Sequence, residues 1–287
     1  MASELNLLKA DLSSMANSNK YVPISGNSNL EISVSDNSVA TAFSSDITIN
    51  SLATQQTLQF SGSSPYTSPT AAIGQGTLTL NLGTWDASGS AFTNKSTPVT
   101  HTVTVDANNN TLQGLASSIN ALTDISASVL QTSSGVYSLV VKSPMGEDNA
   151  IQITTADSDL FDFRADPTIS GTPSNAQKQA ASDAELIVDG ITIKRTSNSI
   201  SNIFSGYTLD LKGETDTLTP SNFNVTSSLD VDSAFTNAQT LVDRLNLTRN
   251  YFDELMDRGV EDGEAGTLSD DPVMRSISNR IRTLTES

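Results

Sequence analysis

The chain of 287 residues is long enough for two or three domains, and it carries a formal net charge of −17. A surface this acidic repels phosphate groups, which argues against nucleic acid and against an anionic membrane as partners. Because the sequence contains no cysteine, disulfides and thiolate chemistry are excluded, and no uncharged apolar run approaches the roughly 20 residues of a membrane-spanning helix.

The first segment predicts a short helix. Leu5, Leu8, Leu12 and Met15 repeat at intervals of three or four residues, which places them on one helical face. A helix this short and one-sided needs a partner helix to be stable. From residue 30 to about residue 60, apolar and polar residues alternate instead, and this pattern predicts strands.

A stretch rich in glycine, serine and proline follows from residue 61 to 76 and predicts a domain junction. The next block combines alternating segments with one short helix, for which Thr111 is the expected N-cap and Ile119 lies on the apolar face. Strands continue to about residue 153. We therefore expect a small α+β domain that ends near Pro173.

The clearest hairpin signal comes after this domain. Glu185–Val188 and Ile191–Arg195 are strand-like, and they are joined by Asp189-Gly190, which favours a type I′ turn because glycine tolerates a positive φ. Two further strands are predicted before residue 230. We expect these two strands, Tyr207–Leu211 and Phe223–Leu229, to complete the sheet begun at Leu30, with the α+β domain inserted between its halves.

The apolar period of a helix returns at Val231, and a last helix is predicted to begin after Asp271, with Pro272 at its first position. Helices at both chain ends with strands between them predict an α+β fold, in which a helical stalk carries two β-rich head domains, one inserted in the other. The predicted stalk comprises residues 1–28 and 231–287, the head domain residues 29–64 and 174–230, and the inserted α+β domain residues 65–173.

Eight residues of the stalk helices are the candidate positions for stalk packing or for contacts between subunits. They are seven apolar stripe residues and one arginine: Leu5, Leu8, Leu12, Val242, Leu245, Arg275, Ile277 and Ile281. The stripes could form the core of the stalk itself or a coiled-coil-like seam between subunits. Every basic residue after Lys212 is an arginine, which suits interfaces, although exposed charges beside acidic neighbours explain the pattern equally well.

No group of residues predicts catalysis, a cofactor or a metal site. The single histidine, His101, lies in an alternating run and is expected to face solvent. Asp157 and Asp159 have the spacing of a cation-binding pair, but a polar acidic loop explains them better. We therefore predict a protein that is not an enzyme and needs no cofactor.

Three segments of the chain carry a family resemblance. The first runs from Thr111-Leu112-Gln113-Gly114 through Ile119-Asn120 to Ser143-Pro144-Met145-Gly146 and is similar to the IN motif of flagellins and cap proteins. The second, from residue 176 to 211, and the third, from residue 266 to 282, are similar to a head signature and to the start of a stalk helix. In this order they resemble the flagellar filament cap proteins, the FliD or hook-associated protein 2 family.

The resemblance covers about residues 5–284 and is weakest from 61 to 99. It implies a ring-shaped cap at the tip of the bacterial flagellar filament, which promotes flagellin folding and polymerisation and prevents flagellin leakage. The implied ring is a pentamer, with a tetramer or hexamer as alternatives. Family members have longer terminal tails, so we expect a fragment that lacks them. The family is exported by the flagellar type III system, and the implied partners include flagellin, the hook–filament junction protein and, in some members, a host mucin or receptor.

Two other classes of protein stay open. One is another axial flagellar protein, against which the head signature at residues 188–211 argues. The other is an extracellular adhesin that binds host glycans or proteins through its β-domains without forming a ring. A secreted hydrolase is a more remote alternative, which would need two carboxyl groups in one pocket.

Overall fold

The computed structural model describes residues 2–17, 20–168, 177–215, 221–256 and 271–286. Within these ranges helices and strands are mixed, and the predicted α+β class is confirmed. The helices are α1 (Ala2–Asn17), α2 (Leu112–Asn120), α3 (Val231–Met256) and α4 (Pro272–Glu286). The strands are β1 (Tyr21–Ser25), β2 (Leu30–Val34), β3 (Phe43–Ser51), β4 (Gln55–Phe60), β5 (Gly76–Trp85), β6 (Phe92–Val105), β7 (Ser126–Ser133), β8 (Val136–Met145), β9 (Ala150–Thr154), β10 (Gln177–Gln179), β11 (Ala184–Val188), β12 (Ile191–Arg195), β13 (Ser199–Ile200), β14 (Tyr207–Leu211) and β15 (Phe223–Leu229).

The helices from the two chain ends belong to one compact unit. Helix α1 packs on α3, and α3 packs on α4. Phe252 of α3 is fully buried, and the Arg244 Nε of α3 contacts the Asp11 Oδ2 of α1 at 2.7 Å. The short helix α1 therefore packs against a partner helix, as a helix of this length requires for stability. No described helix has the length and apolarity needed to cross a membrane.

The strands of the head domain form two sheets. One has the order β1-β15-β3-β11-β12, and the other the order β13-β14-β2. The predicted hairpin is confirmed: Val188 pairs with Ile191, and Asp189 and Gly190 both have positive φ, 49° and 84°, as a type I′ turn requires. The expected completion of the sheet begun at Leu30 is confirmed for Tyr207–Leu211, because β14 pairs with β2, and it is wrong for Phe223–Leu229, because β15 lies in the larger sheet.

The inserted domain is built from two further sheets and α2. The sheets have the orders β10-β4-β8-β7 and β6-β5-β9, and both contribute to one apolar core. Helix α2 covers this core with Leu112, Leu115 and Ile119, and its N-cap is Thr111, whose hydroxyl oxygen accepts the Gly114 N–H at 3.0 Å. The predicted helix and its cap are therefore confirmed.

The inserted domain begins and ends elsewhere than at the predicted residues 65 and 173. Strand β4, assigned to the first head segment at residues 29–64, pairs with β8 of the inserted domain, and β10 pairs with β4. The stretch from 61 to 76, predicted as a junction, lies inside the domain, where Tyr66 bridges to Tyr137. Glycine, serine and proline mark turns, and a turn is not by itself a domain boundary.

Candidate functional site

The eight candidate stalk residues lie on α1, α3 and α4, but the structure does not bring them into one site. Leu8, Leu245 and Arg275 are half-buried. Three others are more exposed, with relative accessibilities of 47% for Leu12, 55% for Val242 and 37% for Ile277. Leu5 and Ile281 lie in α1 and α4, but their side chains fall outside the described residues. The assignment of the stripes to a stalk core or to a subunit seam stays a prediction.

The N-terminal half of α3 exposes apolar side chains. Val231 is 67% exposed and Phe235 is 70% exposed, and Val242 lies on the same side of the helix at intervals of four and seven residues. An exposed aromatic ring within an apolar stripe is typical of an interaction surface. The helical period of apolar residues that begins at Val231 predicted an apolar side of this helix, but it could not indicate which part of that side is left uncovered.

A second candidate site is the head junction. It consists of the two segments in which the chain passes between the head domain and the inserted domain, residues 52–54 and 180–183, and of the side chains that bind them. The two segments pair with each other. The Thr54 N–H donates to the Ser182 carbonyl at 2.9 Å, and the Ser182 N–H donates to the Thr54 carbonyl at 3.2 Å. Their hydroxyl oxygens lie 2.8 Å apart. The head and inserted domains are thus joined by paired backbone and not by two separate linkers.

Asn198 binds this junction with both ends of its side chain. Its Oδ1 accepts the Ala53 N–H at 2.7 Å, and its Nδ2 donates to the Ala53 carbonyl at 2.9 Å. The Asn198 carbonyl accepts the Leu211 N–H at 2.8 Å. Asn198 belongs to the head signature found in the sequence. The structure gives a physical reason for an amide there, because the side chain supplies the acceptor and the donor that the backbone of a neighbouring strand would otherwise give to Ala53.

Two contacts from the inserted domain complete the junction. The Gly146 N–H donates to the Thr54 carbonyl at 3.1 Å, and the Glu147 N–H donates to the Asp183 Oδ1 at 2.8 Å. Gly146 has φ 104° and ψ 144°, and a Cβ atom there would lie 2.7 Å from the Thr196 Cβ. Only glycine meets both conditions without strain.

A cleft of about 1010 Å³ opens beside the head junction. Its walls include Trp85, the only tryptophan, and several carboxylates with one lysine. The pKa of Asp86 is lowered to about 2, mainly by a hydrogen bond from the Ser88 hydroxyl and to a smaller extent by one from the Ala91 N–H. The pKa of Glu185 is lowered mainly by a hydrogen bond from the Asn50 side chain and to a smaller extent by Lys194. These two carboxyl groups are therefore ionised at neutral pH and are bound structurally, which does not suit a general acid.

Two further polar residues considered in the sequence, Asp157 and His101, lie beside strand β5 and not in a functional cluster of the described part of the chain. Asp157 accepts the Thr77 N–H at 2.7 Å, beside Gly76. His101 does not face solvent as expected: it is half-buried opposite Leu80, and its Nε2 is inaccessible and has no hydrogen-bond partner among the described residues. Within the described ranges, no cluster of three or more His, Asp or Glu side chains is arranged to hold a metal ion.

Comparison with known proteins gives consistent matches. Residues 181–287 match a family model described as the flagellar hook-associated protein 2 C-terminus. The chain is 25% identical over 198 residues to the B-type flagellar hook-associated protein 2 of Pseudomonas aeruginosa PAO1, an alignment covering 63% of this chain and 41% of the relative. It is 29% identical over 188 residues to flagellar hook-associated protein 2 of Salmonella typhimurium LT2, covering 63% and 39%. The aligned part thus spans about two fifths of these relatives.

Solved structures match over a larger part of the chain. The D1-D2-D3 domains of the flagellar cap protein FliD from Escherichia coli superpose with a TM-score of 0.75 at 25% identity, covering 97% of this chain and 73% of that one. The D2-D3 domains of the same protein give a TM-score of 0.60 at 26% identity, covering 74% of this chain and all of theirs. These matches confirm the resemblance that three sequence segments predicted.

Proposed function

We propose that this chain, which is similar to the flagellar cap protein FliD, forms the structural cap at the distal end of a bacterial flagellar filament. The observation that carries the proposal is the superposition on the E. coli cap protein, which extends over 97% of the chain and includes the helices of both chain ends. A relative matched only in the heads would leave the stalk unexplained.

The proposed role is to promote flagellin folding and polymerisation and to prevent flagellin leakage, with flagellin and the hook–filament junction protein as partners. Export as an unfolded chain through the flagellar type III system suits a sequence without cysteine, because no disulfide has to form or break on the way.

The test is deletion of the gene that encodes this chain in its own bacterium. We expect bare hooks in electron micrographs and monomeric flagellin in the medium by immunoblot, both reversed when the gene is restored. Normal filaments without leaked flagellin would overturn the proposal, and the adhesin hypothesis would then be the one to pursue.

Self-assembly into a ring is part of the proposed function, with a pentamer expected and a tetramer or hexamer as alternatives. The exposed stripe of α3 supports it, since Val231, Phe235 and Val242 would be covered by a neighbouring subunit. We propose the same role for the other exposed candidates, Leu12 and Ile277.

Replacing Val242 with aspartate should prevent the ring without unfolding the chain, because Val242 is 55% exposed and a carboxylate there costs little in the monomer. Negative-stain electron microscopy and light scattering measure the assembly. The matched control is Thr240→Asp, which adds the same charge at an exposed position on the opposite side of α3. If Val242→Asp assembles as well as the control does, this face of α3 is not a subunit contact.

A further inference from the structure

Strand β7 forms the outer edge of the four-stranded sheet of the inserted domain. It follows β8 in the order β10-β4-β8-β7, so one of its sides has no strand partner within the described ranges. Its eight residues, Ser126–Ser133, carry no charge and no proline, and Leu130 is 49% exposed. Long uncharged edges of this kind are templates on which another chain can add a strand.

The strand pairing shows which backbone groups face outward. Ala127 stands opposite Val141 of β8, but its N–H and its carbonyl both bind the Asn120 side chain, at 2.8 Å and 2.7 Å. The backbone groups of Ala127 therefore point away from β8. Because the direction alternates with a period of two residues, those of Val129 and Gln131 point outward as well.

Asn120 is positioned for this contact by the helix that ends there. It is the last residue of α2, and its neighbour Ile119 is 1% exposed in the core of the inserted domain. The carboxamide of Asn120 supplies one donor and one acceptor, as the peptide group of a further strand would. In the IN-like segment, Ile119 is thus buried in the core, and the adjacent Asn120 binds the edge strand β7.

We propose that Asn120 closes the edge of β7 against strand addition, and that the strand it excludes is β7 of a second copy. The outward positions 127, 129 and 131 are symmetric about Val129. In an antiparallel pairing of two β7 strands, Ala127 of each copy would lie opposite Gln131 of the other, and the two Val129 residues would lie opposite each other. Each of these three pairs would exchange two backbone hydrogen bonds.

Because Asn120 binds the N–H and the carbonyl of Ala127 in each copy, the two pairs between Ala127 and Gln131 cannot form. Only the central pair of Val129 with Val129 is left. No charge on β7 opposes the self-pairing, since like charges are absent from Ser126 to Ser133. The single asparagine therefore controls most of the backbone hydrogen bonds that this pairing could form. In a protein that assembles with copies of itself, such a contact restricts association to the intended surfaces.

The test uses the cysteine-free full chain and two separate cysteine variants, Ser128→Cys and Leu130→Cys. In the proposed pairing, position 128 of one strand lies directly opposite position 130 of the other, so a disulfide should form only when the two variants are mixed. We expect the cross-linked fraction to be about ten-fold higher or more when both also carry Asn120→Ala. Adding Gln131→Pro, which removes an outward N–H and leaves the pairing with β8 intact, should abolish the increase.

Folding of each variant is followed by circular dichroism. If Asn120→Ala does not fold, Asn120→Asp serves instead, because it keeps an acceptor for the Ala127 N–H and loses the donor; it should cross-link more than the Asn120 chain. Equal cross-linking with and without the substitution at 120, in either series, would overturn the proposal. So would a rise that Gln131→Pro leaves unchanged. Cross-linking in this register does not depend on the cap function, so either idea can fail alone.

Discussion

Replacing Phe163 with alanine should lower the free energy of unfolding of the inserted domain by about 3–5 kcal/mol. Phe163 is 1% exposed. Its ring lies 6.0 Å from that of Phe60 and 6.1 Å from that of Tyr66, nearly parallel to the latter. Burial in this cluster raises the pKa of Tyr66 to about 12. Truncation removes these contacts and leaves a cavity that the two sheets cannot fill.

Urea denaturation measures this effect through a convenient probe. The only tryptophan, Trp85, lies on β5 of the inserted domain, so its fluorescence reports on that domain, whereas circular dichroism also reports on the helices. The matched control is Phe161→Ala, in the same turn, whose half-buried ring lies under Arg164 at 3.8 Å. We expect the control to cost about 1 kcal/mol. Equal losses for the two variants would mean that Phe163 does not organise this core.

Gly146→Ala should destabilise the head junction by about 2–6 kcal/mol, through two additive causes. Its φ of 104° lies in a region that only glycine adopts readily, at a cost of about 1–3 kcal/mol for other residues. The new methyl group would also lie 2.7 Å from the Thr196 Cβ, so the backbone must shift, and such overpacking costs about 1–3 kcal/mol. The shift would weaken the bond from Gly146 to the Thr54 carbonyl.

Amide exchange at Thr54, Gly146 and Ser182 measures opening of the junction, and thermal unfolding measures the total effect. Gly135→Ala is the control, because Gly135 also has a positive φ, 71°, but a Cβ there meets no atom within 4 Å. It should cost about 1 kcal/mol and leave exchange at the junction unchanged. If both substitutions have the same small effect, the close approach to Thr196 does not hold the two domains together.

Elements governed by neighbouring residues could be predicted from the sequence. The turn at Asp189-Gly190 and the cap at Thr111 each depend on interactions within a few residues, and the structure contains both. The alternating and helical periods also predicted the α+β class. Periodicity reports which face of an element is apolar, and that was sufficient for these assignments.

Features that depend on distant partners were missed. Strand β4 was placed in the wrong domain because its alternation is the same whichever sheet it joins. Asn198 was recognised within a signature, but its contact with Ala53 crosses 145 residues. Asn120 was likewise seen only as part of a motif, since the outward direction of Ala127 follows from the register with β8. The candidate stalk residues depend on neighbours in the same way, because a stripe alone does not indicate what covers it.

Whether this chain caps a flagellar filament can be determined by immunogold electron microscopy of intact flagella from the parent bacterium. The label is an antibody against this chain, and a strain with the gene deleted is the control. We expect gold particles at the free end of the filaments and none along the shaft. Labelling along the whole filament would make the chain a filament subunit, and labelling only at the hook would make it a junction protein. Either result would contradict the cap assignment.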